Sequence, residues 1–391
     1  MTTEIAYGIH YIGVDDLDLD LFESQYAVPE GMSYNSYLIL DSKITVLDTV
    51  DARKTAHWMQ NLDALLHGQK PDYLVVHHME PDHSGSILAF LKKYPGTTIV
   101  AGAKALQFLS QFNPGKEFPN TLTVKDGDTL PVGQHHTLKF FATPMVHWPE
   151  VMMSLELNND VLFSADAFGK FGALKGDIFN MDDWACEARR YYFNICGKYG
   201  PQVVKALSLL LTLPPHTIIA PLHGPVIKDY MPAFLLYNTW SSYGVESEGV
   251  FVAYASIHGG TAVVAQKVAE MLEAKGQKVA LCDLTRSDRA EAVEDAFRYG
   301  TMVLAACSYD AGLFTPAYDF LHSLQMKGWQ KRRVALIENG SWAPSAGRVM
   351  KEMLGAMKDI TLVGDLVTIK SRLRPEDMPA LEALVNAVVS Q

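Results

Sequence analysis

The sequence predicts an α/β multidomain protein: a helix-covered sandwich of two sheets (αββα) over residues 1–248, then a doubly wound parallel sheet over residues 249–391. Three observations carry this. A length of 391 residues is long for one core and comfortable for two. Before residue 248, short β-rich runs alternate with polar turns and are interrupted by helical segments. After it, apolar runs and amphipathic helical stretches alternate strictly.

In the first part the β-rich runs fall at 36–40, 44–48, 73–77, 98–101, 137–141, 161–164 and 217–221. Their β-branched and aromatic residues favour a pleated, half-buried surface. Helical spacing of apolar residues marks 53–68, 86–94, 103–112 and 184–213. In the second part the apolar runs 250–255, 278–283, 302–306 and 333–338 each lead into helical sequence, beginning with 261–275. The segment 240–249, rich in Ser, Gly and Glu, is the expected linker.

Composition narrows the function classes. Hydrophobic residues make up 48% and charged residues 20%, an ordinary folded mixture. The net charge of −11 is spread along the chain and argues against nucleic acid as a partner, because phosphate binding needs a basic surface. No basic stretch followed by an apolar run opens the sequence, and no apolar stretch reaches the roughly 18–20 residues that span a bilayer. Cys186, Cys196, Cys282 and Cys307 form no Cys-x-x-Cys pair. They suggest a reducing, cytoplasmic setting without a thiolate-held metal.

The strongest chemical signal is His77-His78-Met79-Glu80-Pro81-Asp82-His83-Ser84-Gly85, between the run 73–76 and a helix starting near Ser86. Residues at i and i+2 share a face while the chain stays extended, so His78 and Glu80 converge and His77 points away. Further candidates follow later strands, each bracketed by Pro or Gly: His147, Asp166 and His223. One histidine at a strand end is usually a satisfied neighbour. This combination is hard to reach by accident. His135, His136, His216 and His57 read as bland or solvated positions. Four imidazoles, three carboxylates and no thiolate favour a pair of iron or manganese ions over structural zinc. The three carboxylates with a bridging hydroxide would bring two divalent ions to neutrality.

The second part opens with a strand and then Ser256-Ile257-His258-Gly259-Gly260-Thr261 before a helix. Such a loop places backbone N–H groups around a phosphate, and it is not the Gly-x-x-x-x-Gly-Lys of nucleoside triphosphatases. Two more loops, 307–313 and 338–343, follow strands at the end where open α/β sheets bind ligands.

With these motifs in view, the N-terminal part resembles the metallo-β-lactamase fold. The whole chain resembles a flavodiiron protein, also called an A-type flavoprotein, with a C-terminal flavodoxin-like domain. Hydrolases of that fold carry His-x-His-x-Asp-His, and Glu80 in place of the second His is the flavodiiron variant. The runs Gly31-Met-Ser-Tyr-Asn-Ser-Tyr-Leu38 and Asp48-Thr-Val50 resemble that family's N-terminal signature. The resemblance implies one iron held by His78, Glu80 and His147 and a second held by Asp82, His83 and His223. Asp166 bridges them, with a hydroxide or oxo group between the irons.

It also implies FMN, with its phosphate at Ser256, Ile257, His258, Gly259, Gly260 and Thr261. The flavin ring lies against Ser308, Tyr309, Asp310, Ala311, Gly312 and Leu313 and against Asn339, Gly340, Ser341 and Trp342. Gly260 stands where Asn or Ser is more usual. The 307–313 loop departs from the common Pro-Thr-x-Asn form, so individual contacts there are left open.

The activity implied is reduction of dioxygen to water, of nitric oxide to nitrous oxide, or of both. Reduced FMN and a diferrous pair hold two electrons each, enough for dioxygen. Electrons would come from a rubredoxin-like protein or a reduced soluble cofactor. The assembly implied is a head-to-tail homodimer, with a dimer of dimers as a further level. Two alternatives stand beside this reading: a zinc-dependent hydrolase of the same fold with a fused flavodoxin domain, and an electron-transfer module whose metal domain is only structural.

Overall fold

The computed structural model describes residues 2–390, which divide into two compact units. The first comprises residues 2–192 and 201–238, the second residues 193–200 and 239–390.

The first unit is built on two sheets. The larger runs in the order Thr3–Ala6, Ile9–Tyr11, Tyr37–Ile39, Thr45–Leu47, Tyr73–Val76, Thr98–Gly102, Thr121–Val124. From Thr45–Leu47 onward its strands are parallel. Parallel strands are covered on both faces, and Leu74, Val75 and Val76 are all buried accordingly. The smaller sheet runs Thr129–Pro131, Thr137–Ala142, Met152–Glu156, Val161–Phe163, Ile218–Ala220. Ile39, Leu47, Val75 and Val100 of one sheet share a core with Leu138, Phe140, Val161 and Phe163 of the other. That face-to-face apolar packing is what makes the sandwich. Helices Thr55–Leu66 and Ile87–Lys93 bury Trp58, Leu62 and Phe90, with the Trp58 and Phe90 rings 5.8 Å apart.

The second unit is a parallel sheet ordered Val279–Asp283, Ser247–Ala255, Tyr299–Tyr309, Arg332–Asn339, then Ile360–Leu362 and Val367–Ile369. Counted along the chain this is 2-1-3-4-5, with the fifth strand in two short pieces, a doubly wound order. Helices Gly260–Glu273 and Met378–Val389 pack together. Arg289–Arg298, Thr315–Met326 and Ala346–Gly355 form the other group.

Four details depart from the sequence reading. The helix expected over 184–213 is two, Trp184–Ile195 and Gly200–Leu210, parted by a 3-10 turn at Gly197–Tyr199. Pro201, which has no N–H to donate, sits in the first turn of the second helix, where none is needed. The expected linker is ordered: Trp240 is buried, its indole donates to Glu246 at 2.6 Å, and a strand begins at Ser247. The strand expected to end at Ala306 runs on to Tyr309 and turns at Asp310 and Ala311 into Gly312–Leu313. Both turn residues have positive φ, 47° and 55°, as a two-residue hairpin requires. Finally His136 is buried, with its ring nitrogens 3.0 Å from the Asp41 carboxylate and 2.9 Å from the Tyr7 carbonyl. His57, His135 and His216 are exposed.

Candidate metal centre

Five strand ends and turns of the first unit deliver seven side chains to one place. Tyr73–Val76 ends in the sheet and releases His78 and Glu80. The following residues do not stay a loop, as the sequence suggested. Pro81–Ser84 closes one helical turn and carries Asp82 and His83. Pro81 at its start fixes φ and lacks only an N–H that a helix start leaves unpaired. Gly85 is required behind the turn, because a Cβ there would lie 2.5 Å from the Pro81 carbonyl. His147 comes from the connection between Thr137–Ala142 and Met152–Glu156. Asp166 follows Val161–Phe163, and His223 follows Ile218–Ala220.

The side chains form two clusters, His78 with Glu80, His147 and Asp166, and Asp82 with His83 and His223. In the first, His78 Nε2 lies 3.3 Å from Glu80 Oε2 and 3.2 Å from Asp166 Oδ2. His147 Nε2 lies 3.0 Å and 3.2 Å from the same two oxygens. In the second, His83 Nε2 is 3.4 Å from Asp82 Oδ2 and 3.1 Å from Asp166 Oδ1. His223 Nε2 is 3.2 Å and 3.7 Å from those. Asp166 therefore turns one oxygen to each cluster. An ion with bonds of about 2.1 Å has ligand-to-ligand edges of about 3.0–3.4 Å, octahedral to tetrahedral, which these spacings match. Both Asp82 oxygens, Asp166 Oδ2 and His223 Nε2 are buried and make no hydrogen bond within the protein. Buried polar atoms left in that state need a partner.

Charges are tightly coupled here. Burial pushes the Asp166 carboxyl up, but His78, His83 and His147 outweigh it and hold the group well below the usual carboxylate range. Glu80 is likewise lowered, burial being overcome by His147 and His78. Burial lowers the imidazoles, yet Asp166 with its neighbouring carboxylates lifts His78 well above its ordinary value. His147 is lifted to about 9. Without an ion, His78, His83 and His147 thus bind protons more tightly than free imidazoles, and an ion would compete with those protons.

In the second unit, loops at the C-terminal ends of the strands meet. Gly259 has φ 82° and precedes the helix Gly260–Glu273, whose start has no side-chain cap. Asn339 accepts the Ser371 N–H at 3.0 Å and donates to the Ser371 carbonyl at 3.2 Å, and Ser371 Oγ bonds Ser341 Oγ at 2.9 Å. The segment at Ser371 had no signal in the sequence beyond following a short strand. Ser308 is spent otherwise: its hydroxyl accepts the N–H groups of Ser345 and Ala346. Leu313 is buried, Tyr309 half-exposed and Trp342 92% exposed.

A family model described as ODP family beta lactamase matches residues 32–224, a span that contains all seven clustered side chains. Along nearly the whole chain, the anaerobic nitric oxide reductase flavorubredoxin of Aeromonas hydrophila is 27% identical over 385 residues, covering 96% of this chain and 76% of that one. The flavodiiron protein of Giardia intestinalis superposes with a TM-score of 0.90 at 25% identity, covering 99% of this chain and 96% of that one. In sequence along nearly its whole length and in fold, the chain is similar to flavorubredoxin and flavodiiron proteins. The rubredoxin oxygen:oxidoreductase of Desulfovibrio gigas shares the fold, with a TM-score of 0.92 at 24% identity over 99% of this chain and 98% of that one.

The sequence did not reveal what holds the imidazoles from behind. His78 Nδ1 is 2.8 Å from Glu150 Oε1, and His223 Nδ1 donates to the Ser33 carbonyl at 2.6 Å. Each contact fixes the tautomer so that Nε2 faces the cluster with its lone pair. Asn35 clamps the loop that bears His223, donating to the carbonyls of Pro221 at 2.8 Å and Gly224 at 2.7 Å. The rings of Phe22, Tyr34 and Tyr191 surround His223 at 5.5–5.9 Å. Part of the Gly31–Leu38 signature is thereby explained: Ser33, Tyr34 and Asn35 together seat one imidazole. Among the described residues, no helix is long and apolar enough to cross a membrane.

Proposed function

We propose that this chain is a flavodiiron oxidoreductase that passes electrons from an external donor through FMN to dioxygen, nitric oxide or both, giving water and nitrous oxide respectively. The observation that carries the reading is the double cluster sharing Asp166, with Glu80 where a hydrolase of this fold has histidine. The relatives' names, nitric oxide reductase and rubredoxin oxygen:oxidoreductase, point the same way.

His78, Glu80 and His147 would hold one iron, Asp82, His83 and His223 the other, and Asp166 both. When bound, the irons supply one-electron chemistry and a coordination position open to a diatomic gas. The protein's own part is orientation and dryness. His78 keeps its Nδ1 proton on Glu150 and His223 on the Ser33 carbonyl, so neither ring can turn. Phe22, Tyr34 and Tyr191 keep bulk water off His223.

In this reading residues 1–248 are the diiron domain and residues 249–391 the FMN domain. The uncapped start of Gly260–Glu273 offers N–H groups to the flavin phosphate, and Ser256 Oγ is buried there without a hydrogen-bond partner. Trp342 and Tyr309 are exposed aromatics in these loops and would supply stacking faces for the flavin ring. The donor in this proposal is a rubredoxin-like protein or a reduced soluble cofactor, in keeping with the relatives' names. A cytoplasmic head-to-tail homodimer, with a dimer of dimers beyond it, completes the proposal and rests on the family resemblance. The test is anaerobic stopped-flow on reduced protein carrying two irons and one FMN, mixed with each gas at matched concentration. Flavin reoxidation within the turnover time by at least one gas is expected; reoxidation by neither overturns the function.

A further inference from the structure

The two halves of the metal centre are supported by unequal partners. On one side, Glu150 Oε1 lies 2.8 Å from His78 Nδ1 and accepts the Met79 backbone N–H at 3.0 Å. The Glu150 side chain is fully buried, and its second oxygen has no hydrogen-bond partner. On the other side, His223 Nδ1 meets a neutral carbonyl, that of Ser33, and His83 Nδ1 is buried with no acceptor.

The ligands themselves do not separate the halves. Each has two imidazoles, one carboxylate of its own and one oxygen of Asp166. Other carboxylates near the centre are spoken for. Asp51 is held by the Arg53 guanidinium and backbone N–H, at 2.9 Å each. Asp48 gives one oxygen to the His77 N–H and the other to the His77 ring. Asp16 is paired with Lys54 at 3.0 Å. Among the described residues, Glu150 is a non-ligand carboxylate aimed at a cluster imidazole, and its ion pair is with His78.

We infer that Glu150 is a positioning residue that makes the two ions electrically unequal, so that the one held by His78, Glu80 and His147 gives up its electron first. A buried carboxylate behind an imidazole raises the basicity of the facing nitrogen. Its charge acts through a low-dielectric medium, where it favours the more positive ion. The inference rests on the diiron reading above. In an oxidative titration the diferrous pair passes one electron to the mediator and then a second; no bond and no proton at Glu150 changes.

The experiment is a potentiometric titration of the iron- and FMN-loaded protein followed by electron paramagnetic resonance, for wild type, E150Q and E150D. E150Q keeps an oxygen for His78 and Met79 but removes the charge. Wild type is expected to show two separated one-electron steps with a mixed-valence signal between them. In E150Q, still with two irons per chain, the first oxidation moves to higher potential and the maximal mixed-valence signal falls at least about twofold. E150D, which retains the charge, is expected to keep the wild-type separation with weaker iron retention, about 10-fold. An unchanged or lowered first potential in E150Q overturns the inference. So does collapse of the separation in E150D, or loss of iron from both variants, which would leave Glu150 a purely structural residue. Wild type that binds fewer than two irons, or shows no iron-based steps, removes the diiron reading instead.

Discussion

His77 Nδ1 lies 2.6 Å from Asp48 Oδ2, and the far side of the same ring lies 2.7 Å from Ser154 Oγ. Asp48 follows a strand of the larger sheet and Ser154 sits in the smaller one, so this buried chain pins the two sheets together beneath the metal centre. The arrangement looks like a hydrolytic triad, but the serine is fully buried and no substrate reaches it.

Removing one member leaves buried polar groups without partners, which costs about 1–3 kcal/mol for each. Asp48→Ala also strips the backbone N–H of His77, which the same carboxylate accepts at 2.8 Å. We therefore expect Asp48→Ala to destabilise the first unit by about 3–5 kcal/mol. Ser154→Ala should cost only about 1 kcal/mol, since its neighbours are otherwise intact. Urea unfolding followed by a probe in the first unit measures both. A smaller loss in Asp48→Ala than in Ser154→Ala would refute the pin.

His147→Asn removes one of two imidazoles from the first cluster and shortens the reach to Glu80, now 3.0 Å away. Iron per chain should fall toward one, turnover with either gas should disappear, and the flavin absorbance should be unchanged. The flavin belongs to the other unit in this reading, so joint loss of iron and FMN would tell against it. Iron analysis and the flavin-to-protein ratio decide.

The ligand candidates were legible because each stands at the end of an apolar strand, where local sequence shows both the strand and its stop. Glu150 lies in the same stretch as His147 but was not singled out, since its role depends on the connection folding back 72 residues onto His78. His136 was read as solvated from its polar neighbours, yet Asp41, 95 residues away, provides its partner. The hairpin at Asp310 and Ala311 was missed for a related reason. Polar residues 307–309 read as loop, but pairing to Gly312–Leu313 keeps them extended. Local periodicity reports strands and turns; it does not report which distant group arrives to satisfy a side chain.

The metal-free chain should respond to pH through its histidines. The His147 imidazole is lifted to about 9; burial lowers it, but the Asp166 and Glu80 carboxylates more than offset that. A raised pKa means the proton is bound more tightly in the folded state. The corresponding stability is fully present below the unfolded value near 6.5 and is lost as pH rises through about 9. The apparent melting temperature of the chelated protein should thus fall between about pH 6.5 and 9. Metal loading replaces those protons, so the loaded protein should lack this decline, and metal affinity should rise over the same window. Paired thermal scans with and without chelator test it; parallel curves would be inconsistent with protons held on the cluster.

The last prediction concerns the flavin. A Cβ at Gly260 would lie 2.4 Å from the Ser371 carbonyl and 3.4 Å from Asn339 Nδ2, the two groups that tie the strand-end loops together. Alanine is otherwise the better helix former, by about 0.8–1 kcal/mol in a helix interior, so only the clash opposes the change. That approach is backbone, which cannot swing aside as a side chain can, so Ser371 must move and the Asn339 contacts must open. We expect Gly260→Ala to reduce FMN retention at least about tenfold with two irons still bound, on the view that the helix start holds the phosphate. Gly259→Ala is the contrast. Its φ of 82° makes alanine strained, at a cost of about 1–2 kcal/mol, but a Cβ there meets nothing within 4 Å. It should lower stability and spare the cradle's shape, leaving FMN largely bound. Flavin-to-protein ratios after exhaustive dialysis compare the two, and wild-type retention in Gly260→Ala would remove the phosphate from this helix start.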